Sequence, residues 1–247
     1  MALHSSIMEQ ESWRSISPVG MKSLTGDLRL AGKAQLGAVA RAIEEAAPRP
    51  GLLVYVTTKK LAMPMNGLDA VIFSAIDANT HLQVAQLYHA LTIGSAISFV
   101  EFAAESFPFP ISQIRTTAER PFHNGGQQST PRDFSVMIGR RGYIHSPAAD
   151  CSRDALFSIA SKLLYSVVSG ECAMHASSND LQRELAQFIF FHNNYRSLPW
   201  FKGKTPLQKL KAIEGFSHVH VFSVFDTLEG GESIPGKMRR FGFGSSR

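Results

Sequence analysis

The stretch Gly51 to Leu61, GLLVYVTTKKL, follows a proline-rich break at Pro48 and Pro50 and runs through Leu, Val, Tyr and Val before turning polar. A short unbroken apolar run of this kind suits a strand buried on both faces in the middle of a sheet. Its polar end carries Thr57, Thr58, Lys59 and Lys60. The carboxyl end of a central strand is where α/β proteins place their chemistry. No carboxylate stands there.

The remaining segments arrange themselves around that strand. Before it, Gly26 to Ala47 carries Leu28, Leu30, Leu36, Val39, Ala40 and Ile43 on one side and Arg29, Lys33, Arg41, Glu44 and Glu45 on the other, the pattern of an amphipathic helix. After it, Asp69 to Ile76 and Leu82 to Tyr88 read as two strands separated by a short turn, so the three strands predict an antiparallel meander. Thr92 to Phe107 has apolar residues at helical spacing and few charges, a buried helix closed by Pro108 and Pro110. Ile111 to Thr117 predicts a fourth strand, Phe134 to Ile138 a short helix and Gly142 to His145 a short last strand. Asp150 to Val168, Leu181 to Tyr195 and Thr205 to Ile213 predict helices, the last opened by Thr-Pro. Val219 to Phe225 is a further short strand candidate. This order fits an α/β fold of the ribonuclease H-like kind, a mixed five-stranded sheet flanked by helices. It divides the chain into an N-terminal arm (residues 1–25), the amphipathic helix (26–48), the core (49–213) and a basic C-terminal extension (214–247).

Composition narrows the class further. The 247 residues are 44% hydrophobic and 18% charged, enough apolar material for a sizeable core. A net charge of +5 favours an acidic partner, nucleic acid before a membrane surface. The two cysteines, Cys151 and Cys172, form no disulfide framework and no metal-ligand spacing. Nowhere is there an apolar span long enough to cross a bilayer, so a soluble, cytoplasmic protein is expected.

Phe191 to Leu210, FHNNYRSLPWFKGKTPLQKL, resembles the closing segment of bacterial transposases and retroviral-type integrases, in which an aromatic-Asn-x-x-Arg stretch precedes Gly-x-Thr-Pro and a helix. With that anchor, LLVYVTTKKL resembles the first core strand of the integrase/transposase catalytic core, and AIDANTHLQVAQLY its second and third. FPFPISQIRTTAERPF resembles its fourth strand and the loop after it, and the helix from Ser152 its last catalytic helix. The resemblance covers roughly Gly51 to Leu210.

In that family two Mg²⁺ ions are held by two aspartates and a glutamate, because hard divalent cations need converging oxygen ligands. Carried over position by position, the first-strand aspartate falls on Thr57, the second aspartate on Thr117 and the glutamate on Phe157, the last uncertain by about one helical turn. All three are neutral. The resemblance therefore implies a degenerate catalytic triad, with Glu119 and Asp154 as the nearest replacement carboxylates and Asp77 in a turn without catalytic duty. Lys59, Lys60, Arg115, Arg120, Arg140 and Arg141 are expected to surround the old catalytic face and to favour phosphates.

Other constellations read as structural. His218 and His220 suit one face of a strand but have no third ligand at the right spacing. His145 with Cys151 lacks a group to orient the imidazole. Gly125 and Gly126 lack the Lys-Ser/Thr of a nucleotide cradle. Asn193, Asn194, Tyr195 and Arg196 are expected to cap and anchor the penultimate helix, with Trp200 and Phe201 packed beside it. The basic tail KMRRFGFGSSR suits a frayed end, or a grip on single strands through Phe241 and Phe243.

The reading is a catalytically inactive integrase-like protein without a cofactor. It acts by binding DNA or a protein partner, as a regulator or accessory of a mobile element or a domesticated derivative, and the resemblance implies a homodimer. Two alternatives stand beside it. One is an active Mg²⁺-dependent recombinase or nuclease with a rearranged carboxylate site. The other is a protein-interaction scaffold without nucleic acid.

Overall fold

The computed structural model describes residues 33–61, 70–117, 120–123, 133–148, 178–221 and 243–244. The elements in chain order are α1 (Lys33–Ala46), β1 (Leu53–Lys60), β2 (Val71–Asp77), β3 (Gln83–Tyr88), α2 (Ile93–Ser106), β4 (Gln113–Thr117), α3 (Phe134–Gly139), β5 (Ile144–Ala148), α4 (Ser178–Asn194), a 3-10 turn (Pro199–Phe201), α5 (Pro206–Lys211), β6 (His220–Val221) and β7 (Phe243–Gly244). The N-terminal arm, the start of the amphipathic helix, the predicted helix at 150–168, both cysteines and most of the C-terminal extension lie outside the described residues.

Strands β1 to β5 form one sheet in the order β3-β2-β1-β4-β5. β1 is antiparallel to β2 and β2 to β3, whereas β1, β4 and β5 run parallel. This is the expected meander followed by two parallel crossovers, the topology of a ribonuclease H-like α/β fold. β1 lies at the centre. Its Val54 and Val56 pack into the cluster of Phe73, Ala75, Phe99, Val100 and Ile114 on one face. Leu53 and Tyr55 pack with Ile43, Ile76 and Trp200 on the other. The unbroken apolar run is thus explained by burial on both sides.

The entry into β1 is held by Asp77, the last residue of β2. One carboxylate oxygen accepts from the Gly51 amide at 2.8 Å, and the other accepts from the Thr80 amide at 2.8 Å and the Thr80 hydroxyl at 2.7 Å. Asn79 donates to the Ala47 carbonyl at 2.7 Å, so the same turn also grips the end of α1. Gly51 has φ +74, and a Cβ there would lie 2.1 Å from the Pro110 carbonyl oxygen, so only glycine passes between the clip and the chain leading to β4. Asp77 therefore ends a strand and is wholly buried, where the sequence suggested an acid in a turn.

α4 closes the outer edge of β3. Asn193 accepts from the Gln83 amide at 2.9 Å and donates to the Gln83 carbonyl at 2.8 Å, while Gln182 accepts from the Leu87 amide at 2.8 Å. Residues 182 and 193 are about three helical turns apart, so they share one face of α4, and their side chains reach the outward groups of Leu87 and Gln83 along the strand. Asn193 thus fills the expected anchoring role, and Asn194 donates to the Phe190 carbonyl at 2.8 Å. Tyr195 departs from expectation. It is 52% exposed, because the chain leaves the helix there and its ring rests on Phe190 and Phe191 at the surface. α5 opens with the full capping box that Thr205 and Gln208 encode.

The last strands differ most from expectation. β5 starts at Ile144 and includes Pro147, because Gly142 at φ +87 belongs to the preceding turn and an edge strand tolerates proline. β6 holds only His220 and Val221 among the described residues, and it pairs with Phe243–Gly244 from the tail that was expected to fray.

Replacing Asn193 by Ala strands a buried amide and a buried carbonyl of Gln83. This should cost about 3 kcal/mol in a urea unfolding experiment. Acid should destabilise the fold as well. Burial holds His81 and His192 near pKa 3, and burial with the charge of His123 holds His145 near 4, all below the unfolded value of 6.5. The unfolded chain therefore binds protons that the folded one refuses as pH falls through the range from 6.5 towards 3. Burial raises Asp77 to about 6 from 3.8, and this opposes the effect within that narrower window. Three imidazoles outweigh one carboxyl, so the thermal midpoint should fall between about pH 7 and about pH 5. His192→Gln should flatten the dependence.

Candidate functional site

β1 and β4 run side by side, with Tyr55 paired to Arg115 and Val56 to Thr116. One residue further along each strand stand Thr57 and Thr117. Side chains alternate across a strand, so Thr57 shares the face of Leu53 and Tyr55, and Thr117 shares that of Gln113 and Arg115. The two predicted positions are therefore neighbours on one face, at the carboxyl ends of adjacent parallel strands. Thr57 is buried and Thr117 half-buried. Phe157, Glu119 and Asp154 lie outside the described residues.

This pair of hydroxyls does not fit Mg²⁺, which demands near-octahedral oxygen ligation with carboxylate charge. Among the described residues no group of three or more His, Cys, Asp or Glu converges to hold a metal. Asp77 cannot serve the pair, because it pairs with Val54, three residues before Thr57 and at the opposite end of β1. Its carboxylate is already engaged by Gly51 and Thr80.

The basic residues divide. Lys59 and Lys60 extend β1 beyond Thr57, and Lys60 is exposed. Arg115 lies on the threonine face, its guanidinium 6.0 Å from the centre of the Tyr55 ring and its Nε 3.4 Å from the Ser146 hydroxyl. Gln113 donates to the same hydroxyl at 2.9 Å, so this polar surface is held in place by side-chain contacts. Arg120 is exposed, just beyond the carboxyl end of β4. Arg140 and Arg141 are not part of the group. They precede β5, whose first residue Ile144 pairs with Gln113, the first residue of β4. That places them at the amino ends of the parallel strands, away from Thr117. Arg141 is also engaged there, in an ion pair with Glu101 at 2.7 Å and a hydrogen bond to the Met137 carbonyl.

His218 lies exposed in the turn before β6, so it and His220 do not share a strand face. No sequence signal marks the contacts of His145, which arise from the pairing of β5 with β4. It meets Thr116 on one side and Ser135 on the other.

No protein-family model and no curated protein matches the chain. Among solved structures it is similar to the HTLV-2 integrase catalytic core domain in complex with magnesium, in its dimeric form. That match has 12% identity and a TM-score of 0.47, and covers 64% of this chain and 95% of that one. The trimeric form gives 12% identity and a TM-score of 0.48. It is also similar to a chain of the simian T-cell lymphotropic virus intasome in complex with PP2A regulatory subunit B56 gamma, at 16% identity and a TM-score of 0.48, spanning 64% of this chain and 54% of that one. The strand order and directions carry the assignment to the ribonuclease H-like fold. No helix among the described residues is long and apolar enough to cross a membrane.

The adjacency of Thr57 and Thr117 is open to a direct test. The double variant Thr57→Asp, Thr117→Asp places two carboxylates side by side at the strand ends. Its thermal midpoint should rise with added Mn²⁺ by several degrees more than that of the unsubstituted chain. Each single variant should respond less, because two converging charges hold the cation better than one.

Proposed function

We propose that this chain is an integrase-like protein that binds DNA, as a homodimer, without joining or cutting strands, and so serves as an accessory or regulator rather than as an enzyme. The observation that carries the reading is the side-by-side placement of Thr57 and Thr117, where the resemblance calls for two aspartates. Two metal ions cannot be held between neutral hydroxyls. A face without those carboxylates also repels phosphate less. Lys59, Lys60, Arg115 and Arg120 supply the positive charge at that end of the sheet, and the net charge of +5 acts in the same direction. Arg140 and Arg141, at the other end, serve a separate contact or none.

Binding of this kind is dominated by counterion release and falls steeply with salt. With four cationic contacts, log K against log salt should have a slope of about −3 to −4 on random duplex DNA. Lys59→Glu with Lys60→Glu should make that slope shallower by about 2. Arg140→Glu with Arg141→Glu should leave it nearly unchanged. Incubation of labelled DNA with Mg²⁺ or Mn²⁺ should yield neither nicked nor joined product. Cleavage that is lost in Glu119→Gln or Asp154→Asn would instead establish an active enzyme with a rearranged site. Salt-independent or absent DNA binding would leave a protein-interaction scaffold.

A further inference from the structure

A second arrangement lies on the opposite face of the sheet, where β5 runs beside β4. His145 Nε2 is 2.9 Å from the Thr116 hydroxyl, and His145 Nδ1 is 2.6 Å from the Ser135 hydroxyl on α3. One arrangement of protons satisfies all three contacts. The Thr116 hydroxyl donates to the Thr117 carbonyl at 3.0 Å, since a carbonyl can only accept. Its hydrogen is thereby used, so towards His145 it accepts, and the imidazole N–H is on Nε2. Nδ1 is then a bare acceptor and takes the hydrogen bond from Ser135. The ring is also held edge-on against Phe134 at 4.9 Å, and Thr116 is fully buried, so the ring's orientation is restricted. Ser135 is exposed. A solvent-facing hydroxyl aimed at the lone pair of an oriented imidazole is the relation that activates serine nucleophiles.

We propose that Ser135 is an acyl-accepting nucleophile with His145 as its general base and Thr116 as the positioning residue, and that it takes the acyl group of activated carboxylic esters. The Ser135 oxygen forms a bond to the ester carbonyl carbon as its proton passes to His145 Nδ1. The bond from that carbon to the leaving oxygen then breaks with its electron pair, and the proton on Nδ1 returns to the departing alkoxide or phenoxide. The products are acyl-Ser135 and an alcohol or phenol, with no change of oxidation state. Burial, with the charge of His123, holds His145 near pKa 4, so the imidazole is neutral and available at neutral pH, though a weak base. A neutral threonine also stabilises the imidazolium less than a carboxylate would. Both features limit the site to good leaving groups and make hydrolysis of the acyl-serine slow. The signature is therefore a stoichiometric burst with little turnover. This site is independent of the DNA-binding face, and either reading can fail without the other.

The full chain should be mixed with p-nitrophenyl acetate near neutral pH, nitrophenolate release followed by stopped flow, and the acetylated residue located by peptide mass spectrometry. The expected result is one equivalent released in the burst, with the acetyl group on Ser135. Ser135→Ala should abolish the burst. His145→Gln, checked for folding by circular dichroism, should slow it about 100-fold. Thr116→Val keeps the volume but removes the acceptor for Nε2–H, so it should slow the burst less than His145→Gln does. The proposal is overturned if no burst occurs, if acetyl is found only on lysine or the terminal amine, or if His145→Gln acylates at the unaltered rate. Because Ser135 is exposed, Ser135→Ala should fold normally, and a burst that persists in it is equally decisive.

Discussion

The carboxylate of Asp77 sets where the central strand begins. By accepting from Gly51 and Thr80 at once, it fixes the amino end of β1 against the carboxyl end of β2. The Ser112 amide donates to the Gly51 carbonyl at 2.7 Å, so the same residue also starts the alignment of β1 with β4. Every pairing downstream follows, including the one that leaves Thr57 and Thr117 side by side. The carboxylate is fully buried yet accepts three hydrogen bonds, which offset part of the cost of its desolvation. An isolated buried acid of this kind resembles a functional group in sequence, but here its partners are all in its own turn and at the strand entrance.

Much of the fold was legible because the strongest signals were local. The two-sided burial of β1, the meander after it and the apolar face of α2 are written as runs and periods of hydrophobic residues, and each boundary moved by only a few positions. The capping box at Thr205 and the role of Asn193 could also be read, since short polar motifs beside helices have few other uses. What could not be read depends on contacts between distant segments. Gln182 resembles any solvated helix residue until β3 is laid beside it. Phe243 belongs to a pair only because the chain returns to Val221. The likeness of Arg140 and Arg141 to the other basic residues ended once the parallel direction of β5 put them at the far end of the sheet.

The candidate site divided in the same way. Thr57 and Thr117, far apart in sequence, stand side by side at the carboxyl ends of β1 and β4. The charge around them was only partly foreseen, since Arg115 rests on Tyr55 and against Ser146 rather than projecting freely. The relation among Ser135, His145 and Thr116 had no sequence signature at all. It depends on the register Ile114 to His145 across two parallel strands and on a short helix that lays a serine over the ring.

The cover that α4 lays along β3 has a consequence for assembly. Two of that strand's outward amides are already spent on Asn193 and Gln182, so an incoming chain would have to displace a packed helix before it could add a sixth strand there. Growth of the sheet by strand addition is thereby closed off on this flank. Copies of the protein, or other molecules that join it, must meet it through side chains and helical surfaces instead of through backbone ladders at β3.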